Sequence, residues 1–310
     1  MRYIPLSKSV YKSNRSNFMN EMKGNSLAVF NSNDIYPVSA DSELPFQQHR
    51  DIFHLSGIDQ EETILLLYPP SKDGKKREIL FIRKSDNYTK VWEGERLSKK
   101  QASKLSGIDN IYYTEDFKAV LSSIATKVDT FYINKNEHYR ANSPVETRED
   151  RFISWLLKKY PAHNVAKSNP ILQRQRSIKH PHEIDQIKRA CDITMKGFNR
   201  VLKFIKPNIW EYEIEAEFIH EFINNSSKGF AYSPIIASGN DNNVLHYIKN
   251  NKQCKSGELI LIDVGAEYGN YSSDMTRTVP VSGKFSKRQK EIYNAVLRVK
   301  NEATKLLTVG

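Results

Sequence analysis

Cysteine is scarce in this 310-residue chain, occurring only at Cys191 and Cys254. Two thiols exclude a disulfide-stapled scaffold and a Cys-rich zinc module, and both are expected to be free. Long apolar runs are also missing: a membrane helix needs about 18 consecutive residues, whereas Ile64 to Tyr68 and Leu259 to Val264 are strand-sized. The opening Met1-Arg2-Tyr3-Ile4-Pro5 lacks the apolar segment and cleavage site of a secretory signal, so no membrane partner is expected and the expected location is cytoplasmic. The net charge of +11 is carried by scattered groups such as Lys72 to Arg77 and Arg174 to Lys179. Without zinc-finger spacing, an RNP-type aromatic signature or a polybasic tail, that excess does not single out nucleic acid as a partner.

What is present is an ordinary globular composition, 39% hydrophobic and 27% charged, in a chain long enough for about two domains. The first half alternates strand-like and helix-like stretches. Ser26 to Phe30, Thr63 to Tyr68, Glu78 to Ile82 and Thr130 to Ile133 read as short buried strands, and Asp116 to Lys127 and Thr147 to Lys159 have helical spacing. Lys72 to Lys75 reads as a hairpin-like turn, which makes this half a mixed sheet flanked by helices, an α/β (α+β) arrangement. Pro161 to Pro170 is polar and rich in helix breakers, and reads as a linker. After it Ile184, Ile187, Cys191, Met195 and Phe198 recur at helical spacing, and a second helix runs from Tyr212 to Phe222 with Asn208 as its expected N-cap.

Leu259-Ile260-Leu261-Ile262-Asp263-Val264 leaves no room for a solvated face and reads as a strand covered on both sides. An aspartate buried there needs a partner, because an unpaired carboxylate out of water costs several kcal/mol. Gly269-Asn270 then reads as a two-residue turn of the II′ kind. Counting outward from it sets Tyr268 opposite Tyr271, Gly265 opposite Asp274 and Asp263 opposite Thr276. Asp263 and Asp274 thereby become diagonal neighbours on one face, roughly 7 to 8 Å apart between backbones. An ordinary salt bridge, with Arg277 or a lysine, is one reading of each; a hard-cation site is the other, with Gly265 leaving open space opposite Asp274.

Ser238-Gly239-Asn240, Leu245-His246-Tyr247, Leu261 to Gly265 and Asp274-Met275-Thr276-Arg277-Thr278 closely resemble the pita-bread metallopeptidases, specifically aminopeptidase P (Xaa-Pro aminopeptidase). The eleven-residue step from Asp263 to Asp274 and the seventeen-residue step from His246 to Asp263 fit the pattern of that family. Gln48 to Gly57 and Val91 to Leu97 look like the creatinase-like N-terminal domain that precedes the catalytic domain in aminopeptidase P and prolidase. The resemblance implies residues 1–172 as that N-terminal domain and 173–310 as the front part of a pita-bread catalytic domain. It implies Asp263 and Asp274 as ligands of a dinuclear Mn²⁺ centre, His246 as a catalytic hydrogen-bond donor or proton shuttle rather than a core histidine, and peptides with proline at the second position as substrates. A homo-oligomer is compatible with it, and an exposed Trp92 would then gate a neighbour's active site; a core or boundary aromatic is the alternative.

The remaining ligands of the family, one His and two Glu on later motifs, have no counterpart here. His180, His182, Glu183 and His220 do not match those positions and read as solvated or N-cap groups. The expectation is therefore an Xaa-Pro aminopeptidase by family whose catalytic domain is incomplete in these residues, binding metal weakly and inactive as written. Prolidase, or a non-catalytic binding or assembly module, are the alternatives.

Overall fold

The computed structural model describes residues 2–138, 140 and 143–309. The chain divides into two compact units, Pro5–Pro181 and His182–Gly310, with Met1–Ile4 joined to the latter. The first unit runs α1 (Lys8–Glu21), β1 (Ser26–Asn31), a short ribbon β2 (Pro37–Ser39) and β3 (Ser42–Glu43), α2 (Arg50–Ser56), β4 (Ile64–Leu67), β5 (Glu78–Ile82), α3 (Asn87–Glu93), α4 (Lys99–Ser106), β6 (Ile111–Tyr113), α5 (Phe117–Ala125), β7 (Thr130–Ile133), α6 (Arg148–Lys159), β8 (Asn164–Lys167) and α7 (Asn169–Ser177).

Six of these strands form one mixed sheet in the order β6-β5-β4-β1-β7-β8. β1 pairs antiparallel with β4 and parallel with β7, and β4 and β5 form the hairpin expected around Lys72 to Lys75. Side chains of one strand alternate between the two faces, so β1 contributes Leu27 and Val29 to one apolar layer and Ala28 and Phe30 to the other. The first layer is closed by Phe117, Leu121 and Ile124 of α5 and Leu156 of α6. The second is closed by Phe18 of α1, Ile52 and Leu55 of α2, Ala102 of α4, and Ile171 and Leu172 of α7. Residue 172, where the sequence suggests a domain boundary, thus packs into the core of this unit. The segment Pro161 to Pro170 is not a linker throughout, because its middle is the edge strand β8, held to β7 by backbone pairing.

The second unit contains α8 (Pro181–Phe204), α9 (Glu211–Asn224), β9 (Gly229–Phe230), β10 (Ile235–Ser238), β11 (Leu259–Val264), β12 (Ala266–Tyr268), β13 (Tyr271–Ser272), β14 (Met275–Pro280) and α10 (Lys287–Lys305). The inward face of α8 carries Ala190, Ile193, Gly197, Phe198 and Val201, while Met195 and Cys191 are exposed. Gly197 is required there: a Cβ would meet the Phe218 and Phe222 rings of α9 at 2.7 and 2.8 Å. Asn208 is not the N-cap of α9. It takes a left-handed φ of 73°, its N–H donates to the Cys254 carbonyl, and Trp210 occupies the cap position. The strands form two three-stranded sheets, β10-β11-β14 and β13-β12-β9. Residues 2–4 attach to this unit, Tyr3 meeting the Tyr268 ring edge-on at 6.3 Å.

Candidate metal centre

The register counted from Gly269-Asn270 is realised: Tyr268 lies opposite Tyr271, and Asp263 opposite Thr276. The turn itself is of the I′ kind, since both Gly269 and Asn270 have positive φ, 58° and 68°. Either turn type spans two residues, so the count survives. At Gly265 the space is filled rather than open. A Cβ there would sit 1.8 Å from the Ser273 carbonyl oxygen, so glycine is what lets the two strands close up just before Asp274. Thr194 of α8 clamps the same point, its Oγ1 accepting from the Ala266 N–H at 2.8 Å and lying 2.7 Å from Ser273 Oγ.

β11 alternates strictly. Ile260, Ile262 and Val264 are buried on one face, and Leu259, Leu261 and Asp263 are half-buried on the other. The strand is therefore covered fully on one side only, and Asp263 stands on its accessible face. Asp274, at the foot of β14, is exposed. A tyrosine joins the two: Tyr232 Oη donates to Asp263 Oδ1 at 2.6 Å and to Asp274 Oδ1 at 3.1 Å. Tyr232 is held between β9 and β10, where the neighbouring Ala231 N–H donates to the Gly265 carbonyl at 2.8 Å. Burial, then the hydrogen bond to Asp263, raises the phenol well above its ordinary range, so it stays a proton donor at neutral pH.

His246 is exposed in the turn after Val244. Its neighbour Tyr247 is buried and packs with Ile235, Ala237 and Leu261. Ile235 pairs with Asp263 and Ala237 with Leu261, so these side chains belong to the Asp263 face of the sheet. The turn bearing His246 is thus seated on that face. Glu211 fixes the seat. Fully buried at the first position of α9, it accepts from the Ser238 N–H and Oγ at 2.7 and 2.8 Å and from Tyr247 Oη and the Lys252 N–H at 2.8 and 3.0 Å. Burial and then Glu211 push the Tyr247 phenol up to about 12.

Neither Tyr232 nor Glu211 stands out in the sequence. A glutamate in the first turn of a helix reads as a partner of the helix dipole, and only the fold aims it at Ser238 and Tyr247. Of the other candidates, Glu183 is not solvated: it is buried, and Tyr271 Oη donates to it at 2.9 Å. His182 lies 4.0 Å from Asp185 in the first turn of α8, and His220 is exposed on α9. Trp92, in the first unit, is 72% exposed beside Tyr88 and belongs to no core.

Two carboxylate oxygens meeting on one hydroxyl are a donor pair suited in type to a hard divalent cation, with the hydroxyl marking where positive charge is favoured. They are fewer than such an ion needs. Among the described residues no group of three or more His, Cys, Asp or Glu is arranged to hold one.

Comparison with known proteins bears on both units. Residues 185–310 match Metallopeptidase family M24, and residues 11–132 match Aminopeptidase P, N-terminal domain. The chain is 30% identical over 311 residues to the Xaa-Pro aminopeptidase of Escherichia coli (strain K12), covering 98% of this chain and 69% of that protein. It is 30% identical over 282 residues to Xaa-Pro aminopeptidase 3 of Homo sapiens, covering 90% of this chain and 55% of that one. Among solved structures, the aminopeptidase PepP of Pseudomonas aeruginosa superposes with a TM-score of 0.85 at 30% identity, over 96% of this chain and 67% of that one. Among the described residues no helix is long and apolar enough to cross a membrane.

Proposed function

From the premise that this chain belongs to the Xaa-Pro aminopeptidase family of M24 metallopeptidases, with the pita-bread fold of that family, we propose that it takes part in metal-dependent removal of an N-terminal residue from peptides with proline in second place. The observation that carries this reading is the convergence of Asp263 and Asp274 on the Tyr232 hydroxyl. The two carboxylates would hold hard divalent cations, Mn²⁺ by preference, and such ions acidify a bound water, polarise the scissile carbonyl and stabilise the tetrahedral intermediate. His246, on a turn pinned through Tyr247 and Glu211, would donate a hydrogen bond or carry a proton at the rim of that site. Tyr232 keeps the carboxylates together and neutralises part of their mutual repulsion before metal arrives.

Among the described residues two carboxylates, Asp263 and Asp274, meet at this spot, and water would complete the coordination. The metal affinity of the 310 residues by themselves is then weak and they do not turn over substrate. The absence, among the described residues, of a third ligand beside Asp263 and Asp274 also keeps a second reading open, a non-catalytic binding module.

Two preparations separate these readings: the product of the gene's whole reading frame, whatever its length, and the 310 residues. Each is titrated calorimetrically with Mn²⁺ and assayed on an Xaa-Pro tripeptide and an Xaa-Pro dipeptide. Tripeptide hydrolysis by the former, abolished by Asp263→Asn and Asp274→Asn, supports the aminopeptidase. Cleavage of the dipeptide alone makes it a prolidase. Metal binding that both substitutions leave unchanged would refute the site.

A further inference from the structure

The carboxylate pair of the second unit stands on a joint between its two small sheets. The sheets share one strand order, β10-β11-β14 continuing into β9-β12-β13. β11 passes into β12 at Gly265, β13 reaches β14 through Ser273-Asp274, and β9 reaches β10 through residues 231–234. The three crossings touch. The Ala231 N–H donates to the Gly265 carbonyl at 2.8 Å, and the Ser273 N–H to the Ala266 carbonyl at 3.0 Å. Tyr232 and Asp274 lie in two of these crossings, and Asp263 lies two residues before the third. Whether the three side chains meet therefore depends on how one sheet is set against the other.

The sheet β9-β12-β13 is too small to fix that setting alone. β12 pairs with β13 over two residues and with β9 over two, and ladders so short are marginal in water. Its far end is held from outside. On one limb of the turn Tyr271 donates to Glu183 of α8 at 2.9 Å. On the other limb residues 2–4 lie against Tyr268 and Gly269. Tyr3 is 8% exposed, and it sits so close to Gly269 that a Cβ there would come within 3.2 Å of its ring. The Ile4 N–H donates to Tyr268 Oη at 3.4 Å, and the Ile4 carbonyl accepts from Gln186 Nε2 of α8 at 3.2 Å. Arg2 reaches the Ser227 carbonyl, just before β9, at 3.5 Å. These polar contacts are long, so the buried ring of Tyr3 supplies most of the hold.

We propose that residues 2–4 are a strap that positions the metal centre, with Tyr3 as its peg. The proposal rests on the reading of Asp263 and Asp274 as metal ligands and adds a positioning residue remote from both in sequence. A seated Tyr3 keeps the far sheet against α8. With the ring removed the sheet swings at Gly265, and Tyr232 and Asp274 part from Asp263. Both carboxylates are then still present, but a cation has to draw them together itself. Loss of a group that orients a metal's ligands weakens metal affinity by about 10- to 100-fold. Tyr3 acts through further residues, so the lower figure applies.

The test compares Tyr3→Ala and Tyr3→Phe with Val201→Ala, which opens a cavity on the buried face of α8 near its other end and controls for lost stability alone. The 310-residue protein is used, with two readouts. One needs no metal: NMR contacts of the Tyr232 ring with the β-protons of Asp263 and Asp274, recorded with EDTA present. The other is calorimetric titration with Mn²⁺. The strap predicts that Tyr3→Ala loses the contact from Tyr232 to Asp274 or to Asp263 and binds Mn²⁺ about tenfold more weakly. It predicts that Tyr3→Phe keeps both properties, and that Val201→Ala lowers the thermal midpoint yet keeps both. Should Tyr3→Ala fail to fold, Tyr3→Leu, which fills the space without a flat ring, takes its place. Either readout unchanged in that variant, or equal losses in Val201→Ala, overturns the strap. If Mn²⁺ binding is absent from the parent protein or indifferent to Asp263→Asn, the metal reading fails instead, and the ring contacts alone decide the strap.

Discussion

Strand β1 of the first unit and strand β11 of the second are each six residues long and largely apolar, yet they are used differently. Every residue of β1 is buried, because helices cover the sheet on both faces. In β11 only alternate residues are buried, and the other face, with Asp263, is accessible. The first unit is stabilised mainly by two apolar layers. The second has an apolar core of its own, with Ile193, Phe198, Phe218 and Phe222 buried, and adds to it a close backbone approach at Gly265 and polar side chains that peg its loops, Glu211 above all. α10, whose side chains are all exposed or half-exposed, adds no core. On that face Tyr247 packs over Ile235, Ala237 and Leu261 and leaves Asp263 half-buried at the edge of the cluster, and hydrogen bonds with fixed partners hold the surrounding turns in place.

The largest effect should come where backbone meets backbone. Gly265→Ala puts a methyl carbon 1.8 Å from the Ser273 carbonyl, a clash that no side-chain rotation relieves. We expect loss of hydrogen-exchange protection throughout β11 to β14, whereas Gly74→Ala in the first unit, with nothing within 4 Å, is silent. A Gly265→Ala variant with an intact hairpin would contradict the close approach.

Next comes the apolar layer itself. Phe30→Ala removes a fully buried ring from β1 and should cost the first unit about 4 kcal/mol. Val296→Ala on α10, where the side chain is 63% exposed, should change stability by less than about 0.5 kcal/mol. Denaturant titration of the two variants, followed by exchange in each unit, makes the contrast quantitative. Comparable losses would mean that α10 is buried in solution and that the two units are built alike.

Glu211→Ala strips four donated hydrogen bonds of their acceptor. At 1 to 3 kcal/mol for each buried group left unsatisfied, partly relieved by water, the expected cost is about 3 kcal/mol, confined to the second unit. Glu211→Gln keeps one acceptor oxygen and should lose less. If Glu211→Ala left Tyr247 and the His246 turn as protected as before, polar pegging would not distinguish this unit.

The same contrast governs how much was legible in the sequence. β1, β5 and β7 are visible because burial on two faces demands uninterrupted apolar runs, and the predicted limits for Glu78 to Ile82 and Thr130 to Ile133 match the strands. β8 is hidden because an edge strand exposed on most of its length can be written in polar residues. The pairing of Asp263 with Asp274 was legible because a two-residue turn and a period of two fix which residues share a face. Tyr232 and Glu211 were not, since their partners lie 31 and 42 residues away for the tyrosine and 27 and 36 for the glutamate. No spacing rule encodes such meetings. The face of α8 was misassigned because Ile184 and Met195 outrank Gly197 in hydrophobicity, yet it is the missing side chain of Gly197 that admits the α9 rings.

The smallest effect separates the units by pH. His49 caps α2 in the first unit, its Nδ1 accepting from the Asp51 N–H at 3.3 Å, which requires the ring nitrogen to be unprotonated. Burial lowers its pKa from 6.5, with Arg176 and Arg50 adding to burial and Asp51 opposing it. A depressed histidine gives stability that is complete above the unfolded value and is lost as pH falls through the folded one, so the first unit should soften on acidification below 6.5. Tyr247 behaves in the opposite sense. Its phenol is raised from 10 to about 12, so its contribution is complete below pH 10 and is lost as pH rises towards 12, in the second unit alone. Hydrogen exchange at fixed denaturant, corrected for the intrinsic pH dependence of exchange and compared across both ranges, reads the two effects separately. His49→Asn, which keeps a capping acceptor without a titrating ring, should flatten the acid limb in α2. Tyr247→Phe should flatten the alkaline limb around Ser238 and Lys252. Softening of both units at the same end of the pH scale would show that neither group governs the stability of its own unit.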